Sequence, residues 1–438
     1  MFYQIYESNN MVSKEKEMNN NQDIIYLAIK NLDRGIYCNY TDIDYLDIDL
    51  NGNVLINGIT RTGKSFFAET IAEEIEKQRE ADWRIYFDVK DDYIKKFYKS
   101  EDKVISFRSN LGLYNYFKFN LVKEVRMSDD PDMEIREITN MLVADQKERA
   151  NDPFFCMAAA QIFRGYIETI IHCYSNNPTN KVIIQNLKMM SLSQLKEHLL
   201  KWPANRNIVR DYLGEKEKEM TKMTQSIMAC LTELLDLFSG NFCDEGEDTI
   251  HDYISGSYGR RLFFEYDYGR KESSNAFFRF FLSKLIRSKL SQMANREQKF
   301  IFFLDEIAVL NGDFGLMDGL TIGAGNGLQI IVITQSLEKL YCLSPQLNNG
   351  HITNASLAGF ASVVTFRPAD IESIKKLEEI FGEKEFQRIT FGISRYTSST
   401  AEVVRQNNVS SKEFSKLGVG EFYAKIKNNP LVHGKLVL

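Results

Sequence analysis

The chain has 438 residues, a formal net charge of −6 and 44% hydrophobic residues. This length and apolar content suffice for two or three domains with sizeable cores. The acidic balance excludes a protein that is basic over its whole surface, but it is compatible with a local basic ring or pore loop. The six cysteines and five histidines are scattered, which suggests neither a zinc site nor a disulfide framework. A reducing, cytoplasmic setting is therefore expected.

The sequence was searched for the patterns of a membrane-spanning segment and of a signal peptide. No apolar run approaches the roughly 20 residues that are needed to cross a bilayer. The N-terminus, MFYQIYESNN, does not have the pattern of a signal peptide. Residues 1–23 are polar and predict a weakly ordered segment. Residues 24–52 alternate between apolar and polar and predict a small antiparallel lead-in to a buried strand at 54–56.

The stretch after this strand reads GITRTGKS and fits the phosphate-loop pattern GxxxxGK[ST]. Phe66, Phe67, Ile71 and Ile75 follow at helical spacing. A strand, a glycine loop and a helix in this order form the structural context in which the pattern binds phosphate. The glycines let successive N–H groups point at phosphate oxygens, and the helix adds its positive N-terminal end. We expect Lys64 to reach the β- and γ-phosphates and Ser65 to ligate Mg²⁺. The residues expected to contact a nucleoside triphosphate are Gly58, Ile59, Thr60, Arg61, Thr62, Gly63, Lys64, Ser65 and Phe66.

Further strands and helices follow the loop. Helical periodicity dominates the middle of the chain, and a long amphipathic helix is predicted at 274–293. Apolar runs of about five residues separated by helices predict an α/β fold with a parallel sheet that is covered on both faces. The strands are predicted at 84–88, 103–107, 261–266, 300–304, 328–333, 361–366 and 421–427. The predicted domains are a nucleotide-binding domain formed by 24–128 and 256–438, and an inserted all-α domain at 129–255.

The run FIFFLDE has the pattern of a Walker B strand. A buried strand delivers Asp305 at its C-terminal end, where open α/β sheets bind ligands. We expect Asp305 to hold Mg²⁺ through water. Glu306 is expected to polarise the water that attacks the γ-phosphate, the positioning role that phosphoryl transfer requires.

Two further side chains are candidates for catalysis. Gln335 ends the next apolar strand, where it could contact the γ-phosphate or the attacking water, or simply close the strand. Arg367 follows the strand at 361–366 and is either an arginine finger for a neighbouring subunit or a surface arginine.

Several stretches together resemble the cytoplasmic part of the VirD4/TraD-type coupling proteins of conjugative type IV secretion, which are relatives of the FtsK and HerA ATPases. In the family's order they are NGITRTGKS, RIYFDVKDDYIKKF, the helical insertion, RLFFEYDYGR, FFLDEIAVL, GLQIIVITQSLEKL, FASVVTFR, IFGEKEF and EFYAKIKNNPLVHGKL. The resemblance covers roughly residue 50 to the end.

The resemblance implies a RecA-like ATPase that uses ATP and Mg²⁺. It implies the roles given above for Lys64, Ser65, Asp305, Glu306 and Gln335. It also implies a ring of six subunits that moves DNA, single-stranded during transfer, through its centre. The implied partners are a relaxase with its relaxosome and the channel proteins of type IV secretion.

Three features depart from the family. Its usual membrane-spanning N-terminus has no counterpart in this sequence, so membrane contact is expected only at the inner face, through a partner or a missing anchor. Arg61 stands where a glycine is usual, and the segment GLTIGAGNGLQ lacks the basic residues common there.

Other functions stay open at this point. A HerA-like or VirB4-like ATPase for DNA processing or secretion has the same motifs, although VirB4 relatives normally carry a large additional N-terminal domain. A scaffold that binds a nucleotide without hydrolysing it is the third possibility.

Overall fold

The structure, a computed structural model, describes residues 24–32, 43–108, 112–214, 221–240, 246–291, 298–341, 343, 359–392, 398–426 and 431–437. The polar segment predicted at 1–23 lies outside them. The described chain forms two compact units. The first unit contains the described residues up to Asp82, those from 298 to Ala308 and those from Met317 onward. The second unit contains 83–291 and 309–316.

Every strand predicted from the apolar runs is present in the described residues. The strands are β1 (Ile24–Asn31), β2 (Ile43–Asp49), β3 (Asn53–Asn57), β4 (Trp83–Asp88), β5 (Lys103–Ser106), β6 (Arg261–Glu265), β7 (Phe300–Asp305), β8 (Leu328–Thr334), β9 (Phe360–Thr365), β10 (Glu383–Gly392), β11 (Ser398–Asn407), β12 (Glu421–Ile426) and β13 (Val432–Leu436). The sequence did not predict β10, β11 or β13 as separate strands.

Helices separate most of the strands. They are α1 (Lys64–Gln78), α2 (Asp92–Phe97), α3 (Leu121–Arg126), α4 (Pro131–Leu142), α5 (Ala144–Arg149), α6 (Phe154–Cys173), α7 (Asn180–Met189), α8 (Leu192–Leu200), α9 (Arg206–Ile208), α10 (Lys222–Asp236), α11 (Ile250–Ile254), α12 (Lys271–Ser291), α13 (Leu316–Ile322), α14 (Glu338–Tyr341), α15 (Ile371–Phe381) and α16 (Ser411–Lys416). A short 3₁₀ helix, Ile307–Leu310, follows β7.

The sheet of the first unit has the strand order β2-β1-β13-β12-β9-β3-β8-β7. β7, β8, β3 and β9 run parallel, and the pairs from β9 through β12, β13 and β1 to β2 are antiparallel. β3, β7 and β8 are buried along their whole length, as unbroken apolar runs in a covered sheet require. The predicted α/β class and the antiparallel lead-in are confirmed, and β10 and β11 form a separate hairpin.

Helix α1 fixes the loop that precedes it through one buried face. Phe67, Ile71 and Ile75 lie on this face and are fully buried. The Phe67 ring contacts the rings of Phe366 and Phe422, with centroids 5.9 and 5.7 Å away. Phe66, which the helical spacing grouped with these residues, is instead 43% exposed. The aromatic contact therefore holds the start of α1 against the residue that follows β9.

The second unit contains the parallel strands β4-β6-β5 and the helices α2 to α12. Its helix α12 was predicted to be amphipathic, and this prediction is wrong, because polar residues are buried along it as well. The Tyr266 hydroxyl donates a hydrogen bond to Asn275 Oδ1 (2.8 Å). Arg279 Nη1 donates to the Leu310 carbonyl (3.1 Å), and Arg279 Nη2 forms an ion pair with Asp145 Oδ1 (2.8 Å). These partners let polar side chains lie inside the unit.

Between 129 and 255 the described residues form helices and no extended strand, as the sequence predicts, and Asp248 makes an isolated bridge with Phe119. The starts of α4, α7, α8, α10 and α11 carry side-chain caps, which satisfy backbone N–H groups that have no partner inside the helix. Asp130 caps α4 before a proline, and Ser191 forms a capping box with Gln194 at the start of α8. The division into a nucleotide-binding domain and an inserted domain at 129–255 stays a prediction.

Helix α6 is, within the described residues, the one that is long and apolar enough to span a bilayer by length and composition. Two-thirds of its most apolar window is buried inside the structure, which is also typical of the core helix of a globular domain.

A buried carboxylate joins several helices of the second unit. Glu124 of α3 is fully buried and accepts a hydrogen bond from the Ile250 N–H of α11 (2.6 Å). Lys284 Nζ of α12 lies 3.8 Å from Glu124 and 2.6 Å from Glu134, and His251 Nε2 lies 3.6 Å from Glu124. Burial raises the pKa of Glu124 to about 7, although Lys284 and the N–H donor oppose this rise.

We expect Phe67→Ala to lower the free energy of unfolding by roughly 3–5 kcal/mol, because it removes a buried ring and leaves a cavity. The neighbouring Phe66→Ala is the matched control and should cost less than about 1 kcal/mol, since that side chain is partly exposed. Denaturant unfolding of both variants provides the measurement. Equal losses would show that the Phe67 ring does not anchor α1.

The raised pKa of Glu124 predicts a pH dependence of stability. The folded chain binds a proton more tightly than the unfolded chain, so this contribution is present below the ordinary carboxyl pKa and is lost as pH rises through about 7. Between about pH 5 and 7, the wild type should lose roughly 1 kcal/mol per pH unit relative to Glu124→Gln. Glu137→Gln, which removes an exposed ion pair with Arg287, should not change the slope. Unfolding titrations at several pH values measure these slopes, and parallel curves for wild type and Glu124→Gln would contradict the prediction.

Candidate nucleotide-binding site

The loop between β3 and α1 needs a glycine at its first position. Gly58 has φ +147°, and a Cβ there would lie 2.7 Å from Phe366 Cβ. Its N–H donates to the Thr334 carbonyl at the end of β8 (3.3 Å). The next N–H, that of Ile59, donates to the Arg367 carbonyl just past β9 (2.7 Å). The loop thus leaves the sheet in hydrogen-bonded contact with both neighbours of β3.

The second motif glycine is required for the same reasons. Gly63 has φ +113°, and a Cβ there would lie 3.0 Å from Leu436 Cδ1 and 3.2 Å from the Phe366 ring. Any side chain would therefore combine an unfavourable backbone conformation with a tight contact. Gly63 lies directly before the first residue of α1, so the loop ends at a helix N-terminus.

The inside of the loop is positively polarised. Lys64 is buried, and its Nζ donates to the Ile59 carbonyl (2.7 Å). The Thr62 hydroxyl donates to the same carbonyl (2.7 Å). Helix α1 has no acidic residue in its first turn, so nothing there opposes the positive end of the helix. An ammonium group and a helix N-terminus together form a site for an anion such as phosphate.

The carboxylates at the end of β7 lie at the same edge of the sheet as this loop. Asp305 is the last residue of β7 and is buried. Glu306 has φ +53°, and its N–H donates to the Ile333 carbonyl of β8 (3.0 Å). Only β8 separates β3 from β7, and all three strands are parallel. At about 5 Å per strand, the ends of β3 and β7 are about 10 Å apart.

The donor atoms at this edge fit a magnesium ion. The residues in question are Ser65, whose side chain offers a hydroxyl oxygen, and Asp305, whose carboxylate offers two oxygens. Mg²⁺ binds few protein oxygens and completes its shell with water and phosphate. Among the described residues, no group of three or more His, Cys, Asp or Glu side chains forms a metal site. Because Mg²⁺ needs few protein oxygens, Ser65 and Asp305 suit a metal that is shared with a nucleotide.

The two remaining catalytic candidates lie at the same sheet edge. Gln335 directly follows β8 and is half-buried. Arg367 is exposed, and its Nε and Nη2 donate to the Leu417 carbonyl (2.9 and 2.5 Å). Its backbone carbonyl receives the Ile59 N–H described above. The catalytic roles of Gln335 and Arg367 stay predictions.

Two features of the site were not predicted from the sequence. The first is a turn at 417–420, here called the C-terminal turn, whose Gly420 N–H donates to the Thr62 carbonyl (2.9 Å). The Gly-Val-Gly sequence at 418–420 is the local signal that could have indicated it. The second is Asn57, the last residue of β3. Its side chain is fully buried, and neither polar atom has a hydrogen-bond partner among the described residues.

The backbone conformation at Arg61 predicts that this position tolerates glycine better than a β-branched residue. Arg61 is exposed and has φ +63°, in the left-handed region. Arg61→Gly should keep the free energy of unfolding within about 1 kcal/mol, whereas Arg61→Val should lower it by roughly 1–2 kcal/mol, because β-branched residues disfavour this region. Thr60→Val, at an exposed neighbour without positive φ, is the control. Unfolding midpoints measure the effects, and equal losses for both valine variants would contradict the argument.

A family model described as the type IV secretion-system coupling protein DNA-binding domain matches residues 47–417. No curated protein sequence matches the chain. The unbound bacterial conjugative coupling protein TrwBdeltaN70 is similar in structure, with TM-score 0.67, 18% identity, and coverage of 88% of this chain and 84% of that chain. TrwB in complex with ADP and Mg²⁺ gives TM-score 0.67, 17% identity, and coverage of 88% and 85%.

VirB4 of Thermoanaerobacter pseudethanolicus is also similar, with TM-score 0.52, 12% identity, and coverage of 94% of this chain and 96% of that chain. Identities this low show a shared fold only. The family match is of a different kind, because it extends over most of the chain and includes both the phosphate loop and the Walker B strand. The resemblance found in the sequence is thereby confirmed, and the chain belongs to the type IV secretion-system coupling protein DNA-binding domain family.

Proposed function

We propose that this chain is an ATP-hydrolysing coupling protein that moves DNA toward a type IV secretion channel during conjugation. The observation that carries the proposal is that the loop with Lys64 and the strand end with Asp305 and Glu306 lie at the same sheet edge of the first unit, separated by β8 alone. Phosphoryl transfer needs positioning and charge stabilisation, and this arrangement offers groups for both. The family match and the TrwB structure with ADP and Mg²⁺ support ATP and Mg²⁺ as the ligands.

Each site residue has a proposed task. In the loop from Gly58 to Gly63, the backbone N–H groups of Thr60, Arg61, Thr62 and Gly63 are proposed to bind phosphate oxygens. Those of Gly58 and Ile59 stay bonded to the ends of β8 and β9, so these two residues shape the wall of the site. Phe66 borders the nucleotide. Lys64 exchanges the Ile59 carbonyl for the β- and γ-phosphates. Ser65 and Asp305 hold Mg²⁺, which neutralises charge on these phosphates when bound.

The remaining tasks concern the attacking water and the transition state. Glu306 accepts a proton from the attacking water, which a positioned carboxylate does efficiently. Gln335 orients the water or contacts the γ-phosphate. Arg367 is proposed to stabilise charge at the nucleotide of a neighbouring subunit through Nη1, while Nε keeps its hydrogen bond to the Leu417 carbonyl.

The proposed partners follow from the family. They are DNA, single-stranded during transfer, further copies of the chain in a six-membered ring, a relaxase with its relaxosome, and channel proteins of type IV secretion. The printed family description, a DNA-binding domain, supports the first of these. We place the protein in the cytoplasm, with membrane contact at the inner face through a partner or an anchor.

Two other functions remain as alternatives. A VirB4-like or HerA-like secretion or DNA-processing ATPase is supported by the similarity to VirB4, which is weaker than that to TrwB. A non-hydrolysing scaffold would have no use for a carboxylate at Glu306. The measured turnover separates this scaffold from both ATPases, and stimulation by DNA separates a DNA motor from a secretion ATPase.

The test measures ATP turnover and ADP affinity of the full chain with and without single-stranded DNA. Glu306→Gln should keep ADP affinity within about twofold and lower turnover by about 100-fold or more, because it removes only the proton acceptor. Lys64→Ala should lower nucleotide affinity and abolish turnover. The matched controls are Glu372→Gln and Lys375→Ala, which break an exposed ion pair in α15 and should change neither quantity.

Undiminished turnover in Lys64→Ala would refute the site. A wild type that binds ADP but shows no turnover with or without DNA would favour the scaffold. Turnover that DNA does not stimulate would favour the secretion ATPase over the DNA motor. Particle mass with and without nucleotide would test the six-membered ring separately.

A further inference from the structure

The direction in which a nucleotide lies across the loop follows from the positions of the phosphate-binding groups, if the proposed function is correct. Lys64 would contact the β- and γ-phosphates, and Asp305 would hold the Mg²⁺ that neutralises charge on these phosphates. Asp305 ends β7, which is separated from β3 by β8 alone. The γ-phosphate therefore points toward β8 and β7. The nucleoside end must project to the opposite side of β3, where β9 and then β12 follow.

The C-terminal turn lies on that opposite side and is fixed to the loop at both of its ends. Gly420 N–H donates to the Thr62 carbonyl (2.9 Å), and Arg367 Nε donates to the Leu417 carbonyl (2.9 Å). Arg367 in turn accepts the Ile59 N–H through its own carbonyl (2.7 Å). This closed set of hydrogen bonds holds the turn as an extension of the phosphate loop.

The side chain at the centre of the turn is apolar and unburied. Val419 is 70% exposed, although the backbone on either side of it is held in place. Gly418 N–H donates to Glu421 Oε2 (2.9 Å), and the same carboxyl group pairs with Lys435 (3.3 Å). A fixed backbone with an exposed valine presents a rigid apolar surface, one residue away from an atom that touches the phosphate loop. Contact with an apolar ligand face would remove this surface from water.

We propose that Val419 is the platform for the purine base of the bound nucleotide and that the C-terminal turn forms the base subsite. The flat faces of a purine are apolar. Contact between such a face and an aliphatic side chain is more favourable than exposure of both surfaces to water. The contact depends on the base and not on the phosphates. It therefore contributes to the affinity for a nucleoside diphosphate and leaves the affinity for inorganic triphosphate unchanged.

The experiment measures the affinity of the full chain for ADP and for inorganic triphosphate, each with Mg²⁺. Val419→Ser should weaken ADP binding about five- to tenfold, by the loss of part of one apolar side-chain contact. Its affinity for inorganic triphosphate should stay within about twofold of wild type. Val419→Ile, which keeps an apolar side chain, should bind ADP as tightly as the wild type. Val403→Ser, at a valine of β11 that is 59% exposed, is the matched control and should change neither affinity.

Each other outcome overturns the assignment. Unchanged ADP affinity in Val419→Ser shows that the base lies elsewhere. Equal losses for ADP and inorganic triphosphate show an effect on the phosphate loop. A change in particle mass at unchanged ADP affinity assigns Val419 to a subunit contact. If the wild type bound neither ligand, the nucleotide site of the proposed function would itself be refuted, which is a different result.

Discussion

The close contact between the phosphate loop and the end of β9 is the constraint on which the rest of the site depends. The backbone N–H of Phe366 donates to the Asn57 carbonyl (2.8 Å), and the Arg367 carbonyl accepts the Ile59 N–H. Contacts this close leave no room for a Cβ at Gly58, where it would meet Phe366 at 2.7 Å. The loop can therefore keep its shape only while β9 stays paired with β3. The parallel pairing of β3 with β9 is in this sense a part of the site.

The same sheet edge also collects groups that are unfavourable for stability. Arg61 and Glu306 have positive φ without being glycine, which costs on the order of 1 kcal/mol each or more. The buried amide of Asn57, without a partner among the described residues, adds roughly 1–3 kcal/mol. Such groups persist where the surrounding structure determines them fully, and they concentrate at functional sites. The positive φ values fall on one residue of each motif, Arg61 and Glu306, which agrees with the sheet edge as the working part of the first unit.

The predictability of the fold depends on how each element is buried. β3, β7 and β8 were predictable because both of their faces are covered, so their sequences are nearly continuous apolar runs. β10, which begins EKEFQR, has no such run, and only its pairing with β11 makes it a strand. α12 was misjudged because Asn275 is buried against Tyr266, just before the helix, and Arg279 is buried against Leu310 and Asp145 from other segments. Periodicity cannot reveal a partner that another segment provides.

Sequence reasoning also missed the part of the candidate site that a distant segment provides. The motif residues from Gly58 to Ser65 are contiguous, so the sequence alone identifies them. The C-terminal turn, by contrast, reaches the loop only because β12 returns antiparallel beside β9. This return gives the loop two different flanks. β8 and β7 provide carboxylates and polar ends on one side, whereas β9 and the C-terminal turn provide backbone hydrogen bonds and an exposed valine on the other. A nucleotide has the same polarity, with charge at one end and an apolar ring at the other, so the strand order itself determines which way round it can bind.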